Sequence, residues 1–327
     1  MFFTSARDVK EMPTKHKPRK GSLQFWPRKR AAKIVPSANW TAIAKPQEKE
    51  GVIGFIGYKV GMTTMLVEDL TPKSMTLNEK RVLPCTIIEC PPIKIMSIRF
   101  YKNGIVVSEV LADNLNKELK RKIKMPKKSQ EKKEVNVDYD DIRLICYTQP
   151  KQAEIKKRPD LSEIGIKAEN AEKKYEIAKS LLGKEINVSD VFSDLDLIDV
   201  RAVTKGKGLQ GPIKRFGIGL KSHKSEKGRR RPGSLGPWTP SKVSFRAPMA
   251  GQLGLFTRVQ YNNQILSIGK KEDANLLGEF HNYGILRNNF LVIKGSLQGP
   301  GKRPLLLTMP LRKSKKIGNY KFLRFVR

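Results

Sequence analysis

Carboxylates, cysteines and histidines are all scarce in this chain of 327 residues. It holds 31 Asp and Glu against 65 Lys and Arg, a formal net charge of +34, with three cysteines and three histidines. So few acids exclude a balanced surface. Self-repulsion at +34 opposes compaction unless counter-charge is supplied, and a polyanion meets that need better than a small acidic substrate. An odd, low number of cysteines excludes a disulfide framework and suits a reducing cytosol. Cys85 and Cys90 stand five residues apart in one apparent strand, which puts them on opposite faces. With Cys146 and only His16, His223 and His281 beside them, no metal site is expected, and the thiols read as buried structural residues. No apolar run reaches the roughly 20 residues that span a bilayer. Neither an amphipathic helix nor a lipidation signal speaks for a membrane surface. The start, MFFTSARDVK, has two apolar residues followed by charge and does not read as a signal peptide. Reactive constellations are missing too. No histidine has a serine, cysteine or carboxylate at triad-like spacing and no paired carboxylates stand out, so neither an enzyme nor a cofactor nor a small-molecule substrate is expected.

What the chain has instead is concentrated positive charge. Arg201 to Arg246 carries thirteen Lys or Arg, eight glycines and a single acid, Glu226, while apolar residues appear singly. Such a composition buries too little apolar surface to offset its ordering entropy, so alone in water this arm reads as disordered. It lies between segments that read as strands, and a long structureless insertion there points to function. The simplest physical account is an arm that folds only against phosphates, its glycines allowing close backbone approach.

Residues 1–50 read as a basic N-terminal extension. Lys15 to Lys33 holds eight Lys or Arg and no acid, with Phe25 and Trp26 between its two basic clusters. A ring in that setting either stacks on an unpaired base or docks on the protein's own surface, and both readings stand for Trp26 and Trp40. From Gly51 the chain turns apolar and β-branched. GVIGFIGYKVGMTTMLVED reads as two strands turning near Gly61, RVLPCTIIEC and IKIMSIRFY as further strands, and Asn103-Gly104 as a hairpin turn into GIVVSEVL. Residues 51–111 and 185–310 are taken as a discontinuous β-barrel core, with 112–184 as an inserted α/β subdomain. In the insertion NLNKELKRKIK reads as helix and DIRLICYTQ as strand. KAENAEKKYEIAKSLLG reads as a second helix ending at Gly183. Most acids fall between about 109 and 199, which makes this part a solvated face. LIDVRAVTKG leads into the central arm, 205–256. TRVQYNNQILSIG returns from it as a hairpin divided at Asn262-Asn263, and NFLVIKG and LLLTMP are the last strands. Residues 311–327 form a basic C-terminal tail with seven Lys or Arg.

Three short motifs carry more. Gly206-Lys207-Gly208-Leu209-Gln210-Gly211 spells GxGxxG, but a dinucleotide site needs a helix opening at its end, and Pro212 with the glycines and cations beyond it argues against one. The same residues support another reading. Leu209-Gln210-Gly211-Pro212, one residue, then Lys214-Arg215 recurs as Leu297-Gln298-Gly299-Pro300, one residue, then Lys302-Arg303, as if a Gly-Pro turn delivered a Lys-Arg phosphate clamp twice. Gly236-Pro237-Trp238-Thr239-Pro240 sets one large ring between prolines in the least core-like sequence of the chain, which favours stacking on RNA.

PRKGSLQFWPRKR at 18–30, GFIGYKVGMT at 54–63, VTKGKGLQGPIKRFG at 203–217, GSLGPWTP at 233–240 and AGQLGLFTR at 250–258 together resemble the universal large-subunit ribosomal protein three family, of archaeal and eukaryotic type. The resemblance covers most of the chain, leaving out residues 1–14. It implies a mainly β (α+β) fold: a translation-protein-type β-barrel with an inserted α/β subdomain and long basic extensions. It also implies a cytoplasmic, ribosomal setting, large-subunit rRNA and neighbouring ribosomal proteins as partners, and an early role in subunit assembly. The arm tip, Pro237, Trp238 and Thr239, would come near the peptidyl-transferase centre. Thr239 stands where eukaryotic relatives carry His, so chemistry of that His does not transfer. Gln24 replaces a usual glycine, and Trp26 is not general in the family. The candidate rRNA contacts in the N-terminal extension are Lys17, Arg19, Lys20, Trp26, Arg28, Lys29 and Arg30. In the arm they are Lys205, Lys207, Lys214, Arg215, Lys221, Lys224, Arg229, Arg230, Arg231, Trp238, Lys242 and Arg246, and beyond it Lys302 and Arg303. Two rivals remain: an RNA-modifying enzyme with basic tails, which turnover on rRNA fragments would reveal, and a chromatin-type DNA binder, which preference for duplex DNA would reveal.

Overall fold

The computed structural model describes residues 22–125, 138–315 and 317–326. It begins with a short helix, α1 (Trp40–Ala44), whose first turn is capped by the Asn39 side chain accepting from the Ala42 N–H at 3.2 Å. Strands follow where β-branched and aromatic residues are dense: β1 (Gly51–Val52), β2 (Gly54–Asp69), β3 (Lys80–Glu89), β4 (Ile93–Lys102) and β5 (Ile105–Leu111). After a 3₁₀ turn at Lys117–Arg121 come β6 (Asp141–Thr148), β7 (Leu161–Lys167), α2 (Ala171–Leu181), β8 (Glu185–Ile186), α3 (Val188–Val191) and β9 (Leu197–Val203). The central segment contributes β10 (Leu209–Gln210), α4 (Pro212–Phe216) and β11 (Gly251–Gln252). The chain closes with β12 (Thr257–Gly269), a 3₁₀ stretch at Lys271–Leu277, β13 (Phe290–Lys294), β14 (Pro304–Thr308) and β15 (Tyr320–Val326). The chain forms two compact units, Ala31–Lys205 with Thr257–Arg327 and Met1–Arg30 with Gly206–Phe256.

The first unit contains a closed barrel. β14, β9, β12, β13, β3 and β2 are neighbours in that order, all antiparallel, and β14 returns to β2. The expected turn at Gly61 is absent, because β2 is one strand of 16 residues. Its register with β3 slips between Lys59 and Gly61, so an extra residue bends the strand instead of reversing it. The bend lets one strand serve two neighbours on the same edge: Gly54–Tyr58 pairs with β14 and Thr64–Asp69 with β15. The expected hairpin at Asn262-Asn263 is likewise a bulge inside β12, where the pairing with β9 shifts between Gln260 and Asn263. Asn262 does take a positive φ of 52°, but a left-handed residue serves a bulge as well as a turn.

The other sheet of this unit runs β1-β7-β6-β4-β5, with β8 on β4, and every pair is antiparallel. Asn103 and Gly104 make the expected hairpin turn with φ 51° and 78°. That hairpin belongs here and not to the barrel, so the sheet changes between β3 and β4 and not at residue 112. Strand pattern alone does not say which sheet a strand joins. α2 forms within the expected stretch but ends at Leu181, with Leu182 as its C-cap and Gly183, φ 74°, one residue beyond. Its Tyr175 ring meets Phe100 at 5.7 Å, so the helix is a cover and not a parallel crossover. NLNKELKRKIK is not a helix: only Lys117–Arg121 turns, as 3₁₀. One buried residue, Leu119, cannot hold a longer helix against so many like charges. β7 was not expected.

Residues 31–50 also depart from the expected free extension. Trp40 is 2% exposed and lies in the main core with Ile43. A Cβ on Gly54 would come within 2.6 Å of the Trp40 ring, and one on Gly165 within 2.8 Å of its Cβ, so both glycines make room for this side chain. Trp40 therefore docks on its own protein. Cys85 belongs to one core cluster and Cys90 and Cys146 to another, as alternating faces require. Burial pushes the Cys85 thiol up to about 12, which keeps it protonated and inert.

Candidate nucleic-acid interface

The second unit carries the charge. Gly206–Phe256 contains eleven Lys or Arg and one acid. Its root is a two-stranded ribbon in which Leu209 pairs with Gln252 and Gln210 with Gly251. The Lys207 N–H continues it by donating to the Leu253 carbonyl at 3.0 Å, and Leu253 returns the bond to Gly208 at 2.9 Å. Against expectation, a helix does open at Pro212. Proline suits the first helical position, where no N–H bond is needed, and Gly217 closes α4 in the left-handed region. The helix has five residues and follows an antiparallel ribbon, so the parallel βαβ setting of a dinucleotide fingerprint is absent.

α4 organises a clasp with the N-terminal residues. Arg28 Nη1 donates to the Arg215 carbonyl at 2.7 Å, and the Arg28 guanidinium lies 4.1 Å from the Phe216 ring centroid. Trp26 stacks on Phe216 at 6.0 Å and meets Phe245 edge-on at 5.7 Å. Its indole N–H donates to the Ser22 carbonyl at 2.9 Å. Of the two readings for Trp26, the structure shows self-docking. Arg215 donates through Nε to the Gln252 carbonyl and through Nη1 to that of Met249, both at 3.0 Å. Burial draws its pKa below the ordinary arginine value. Arg215 and Arg28 thus hold the root together, while Lys29, Arg30, Lys207 and Lys214 remain exposed.

Beyond the root, no residue from Gly217 to Ala250 is buried. Lys221, Lys224, Arg229, Arg230, Arg231 and Lys242 are all exposed, as are Pro237 and Thr239. Arg246 lies along the Phe245 ring, 5.4 Å from its centroid. Local bonds shape the backbone: Lys221 N–H to the Arg229 carbonyl at 3.2 Å, and Ser234 Oγ to the Gly236 carbonyl at 2.9 Å. Trp238 is 95% exposed.

The repeated LQGP-KR motif is not a structural repeat. In the first copy Gly-Pro opens α4. In the second, Gly299 has φ 93° and Lys302 φ 64° in a loop between β13 and β14. Lys59, which the sequence did not single out, secures that loop. Its ammonium donates to the carbonyls of Leu297 at 2.5 Å and Gly299 at 2.9 Å, and burial lowers its pKa. Lys302 is exposed, whereas Arg303 is half-buried and its pKa is likewise lowered by burial. Each copy therefore exposes its lysine and draws its arginine inward, so the expected Lys-Arg pair is not presented as a pair. Lys205 is exposed just after β9. Lys17, Arg19 and Lys20 lie outside the described residues. Within the basic C-terminal tail, Tyr320–Val326 forms strand β15 against β2, and Lys321 and Arg324 on it stay exposed.

The family model for ribosomal protein L3 matches residues 12–321. The large ribosomal subunit protein uL3 of Methanothermobacter thermautotrophicus is 41% identical over 320 residues, covering 92% of this chain and 94% of that one. The protein of the same name from Methanosphaera stadtmanae is 40% identical over 323 residues, covering 93% and 95%. That of Methanocaldococcus jannaschii is 41% identical over 313 residues, covering 91% and 92%.

Proposed function

Because the chain belongs to the ribosomal protein L3 family, we propose that its exposed cations bind large-subunit rRNA and that its central segment carries Trp238 toward the peptidyl-transferase centre. The protein is a constituent of the large ribosomal subunit, acting in translation within the cytoplasmic ribosome, and is not an enzyme. Its partners are large-subunit RNA and ribosomal proteins.

The observation that carries the proposal is the run from Gly217 to Ala250, which buries nothing while exposing a cluster of lysines and arginines. Those groups neutralise phosphates where RNA helices would otherwise repel one another, and each neutralised phosphate releases counterions. Neutralisation is worth most early in assembly, before other proteins screen the RNA. Trp238, flanked by Pro237 and Pro240 and free of internal packing, presents a ring that stacks on a base without sequence demand.

Binding of the full-length protein to a large-subunit rRNA transcript, followed as salt is raised, tests this. Replacing Arg229, Arg230 and Arg231 together by Ser lowers the log–log slope by roughly 0.7 to 0.9 for each phosphate that is no longer neutralised and leaves thermal melting unchanged. An unchanged slope, or a preference for duplex DNA over the transcript, overturns the proposal.

A further inference from the structure

We propose that a surface recess of the barrel unit binds one unpaired RNA nucleotide, with lysines on its phosphate and amides on its base. The inference rests on the RNA-binding reading but uses none of the residues on which that reading stands.

The recess encloses about 720 Å³ and no carboxylate lines it. Three separate stretches supply its cations: Lys73 from the turn between β2 and β3, Lys294 from the end of β13, and Lys315 from the chain before β15. In a protein with 31 acids, three ammonium groups around an acid-free hollow make a local anion site. The Asp69 carboxylate, bonded to lining Thr71, is engaged inside the turn. It accepts from the Thr71 N–H at 3.0 Å, from Thr76 Oγ1 at 2.7 Å and from Arg81 at 3.4 Å, and these bonds hold it well below the usual carboxylate range.

The walls are set before any ligand arrives. The bulge of β12 forms one of them, and buried Asp199 fixes it by accepting from the Asn262 N–H at 2.8 Å and from the Leu311 N–H at 2.9 Å. Asn262 Oδ1 accepts from the Ser314 N–H at 3.3 Å, tying the bulge to the chain that bears Lys315. Gln264 Nε2 donates to the Gly318 carbonyl, and Asn263 Nδ2 to that of Gln260 at 2.9 Å. The amide oxygens of these two lining residues can accept a hydrogen bond from a base amino group. Lys294 Nζ donates to the Tyr320 hydroxyl at 2.6 Å and lies 4.5 Å from its ring centroid, so cation and aromatic wall are held together. Ammonium groups, amide acceptors and an aromatic wall are the parts that recognise an unstacked nucleotide, whereas an acidic peptide would use the lysines and leave the rest idle. The exposed cations of the central segment are sequence-blind; this site would favour a base with an exocyclic amine.

Calorimetric titration of the full-length protein with cytidine, adenosine and uridine 5′-monophosphates and with inorganic phosphate tests the site. The amine-bearing nucleotides are expected to bind more tightly than uridine monophosphate, and all three more tightly than phosphate. The double variant Lys73→Asn, Lys315→Gln weakens nucleotide binding roughly fivefold or more without lowering the melting temperature, since both side chains are exposed and Asn tolerates the positive φ at position 73. The Arg229, Arg230 and Arg231→Ser variant leaves nucleotide binding unchanged. Phosphate binding as tightly as the nucleotides, or the double variant binding like the parent, overturns the site. If that happens while rRNA binding keeps its salt slope, the nucleotide pocket falls and the RNA-binding reading stands; loss of both removes the reading as well.

Discussion

β2 buries each of its first five residues and then every second one toward its end, whereas Gly217 to Ala250 buries none. Glycine shows the same division. A Cβ on Gly57 would come within 2.5 Å of the Ile88 side chain, so the residue is glycine because the protein's own core needs the space. At Gly233 and Gly236 a Cβ would meet nothing within 4 Å. Gly57 thus answers to a side chain inside the molecule. In the central segment Gly217 and Gly228 serve a positive φ and Gly251 makes room for Arg215, but Gly233 and Gly236 have no such internal reason, which fits a surface that another molecule approaches closely. Charge divides likewise: buried Glu89 is satisfied by Tyr283 and the backbone of Arg287 and Asn288, while the segment's cations face solvent.

The largest expected effect falls on the barrel side of that comparison. Trp40→Ala removes a fully enclosed ring and should cost about 3–5 kcal/mol, read as a fall in denaturant midpoint at constant slope. A change below about 1 kcal/mol would place Trp40 with the surface residues and erase the distinction between residues 31–50 and a free extension. A smaller effect sits at the clasp. Arg28→Ala removes the hydrogen bond to the Arg215 carbonyl and the cation contacts with the Phe216 and Trp26 rings, together on the order of 1–2 kcal/mol. Because the clasp is local, amide exchange at Arg215 and Gly217, whose N–H groups close α4, should quicken while barrel amides keep their rates. Equal quickening in both units would show that they open together.

The elements visible in sequence were those with a local cause. Asn103-Gly104 announced its hairpin because both residues must take positive φ, and α2 announced itself by a stripe of spaced apolar residues. Exposed lysines and arginines of the central segment were equally legible, since nothing apolar stood near enough to bury them. Non-local causes were hidden. Gly61 and Asn262 carry turn chemistry, yet β3 and β9 pair across them and turn each site into a bulge. Arg215 and Arg303 read as phosphate ligands, but the ribbon carbonyls claim the first and burial in its loop draws in the second. Lys73, Lys294 and Lys315 lie far apart in the chain, and only barrel closure with the added β15 gathers them around one recess. Trp40 looked like its neighbours in a basic tail, and its burial depends on glycines far away at 54 and 165.

The smallest expected effect on stability is also the sharpest test of the comparison. Trp238→Ala removes the largest exposed ring of the chain, yet at 95% exposure it gives up almost no buried area. The melting temperature should not move, since surface substitutions of this kind stay within about 0.5 kcal/mol. If the ring stacks on a base, the same change removes roughly 1–3 kcal/mol of stacking on RNA, and the effect appears only in assembled subunits, as altered peptidyl transfer or antibiotic sensitivity. Amide exchange of the free protein supplies the control. Between Lys221 and Met249 few N–H groups have a backbone partner, so exchange there should be fast until rRNA is added and slow afterwards. Slow exchange in the free protein would mean that the segment holds its own shape, and an exposed tryptophan would then be an ordinary surface residue and not one waiting for a partner.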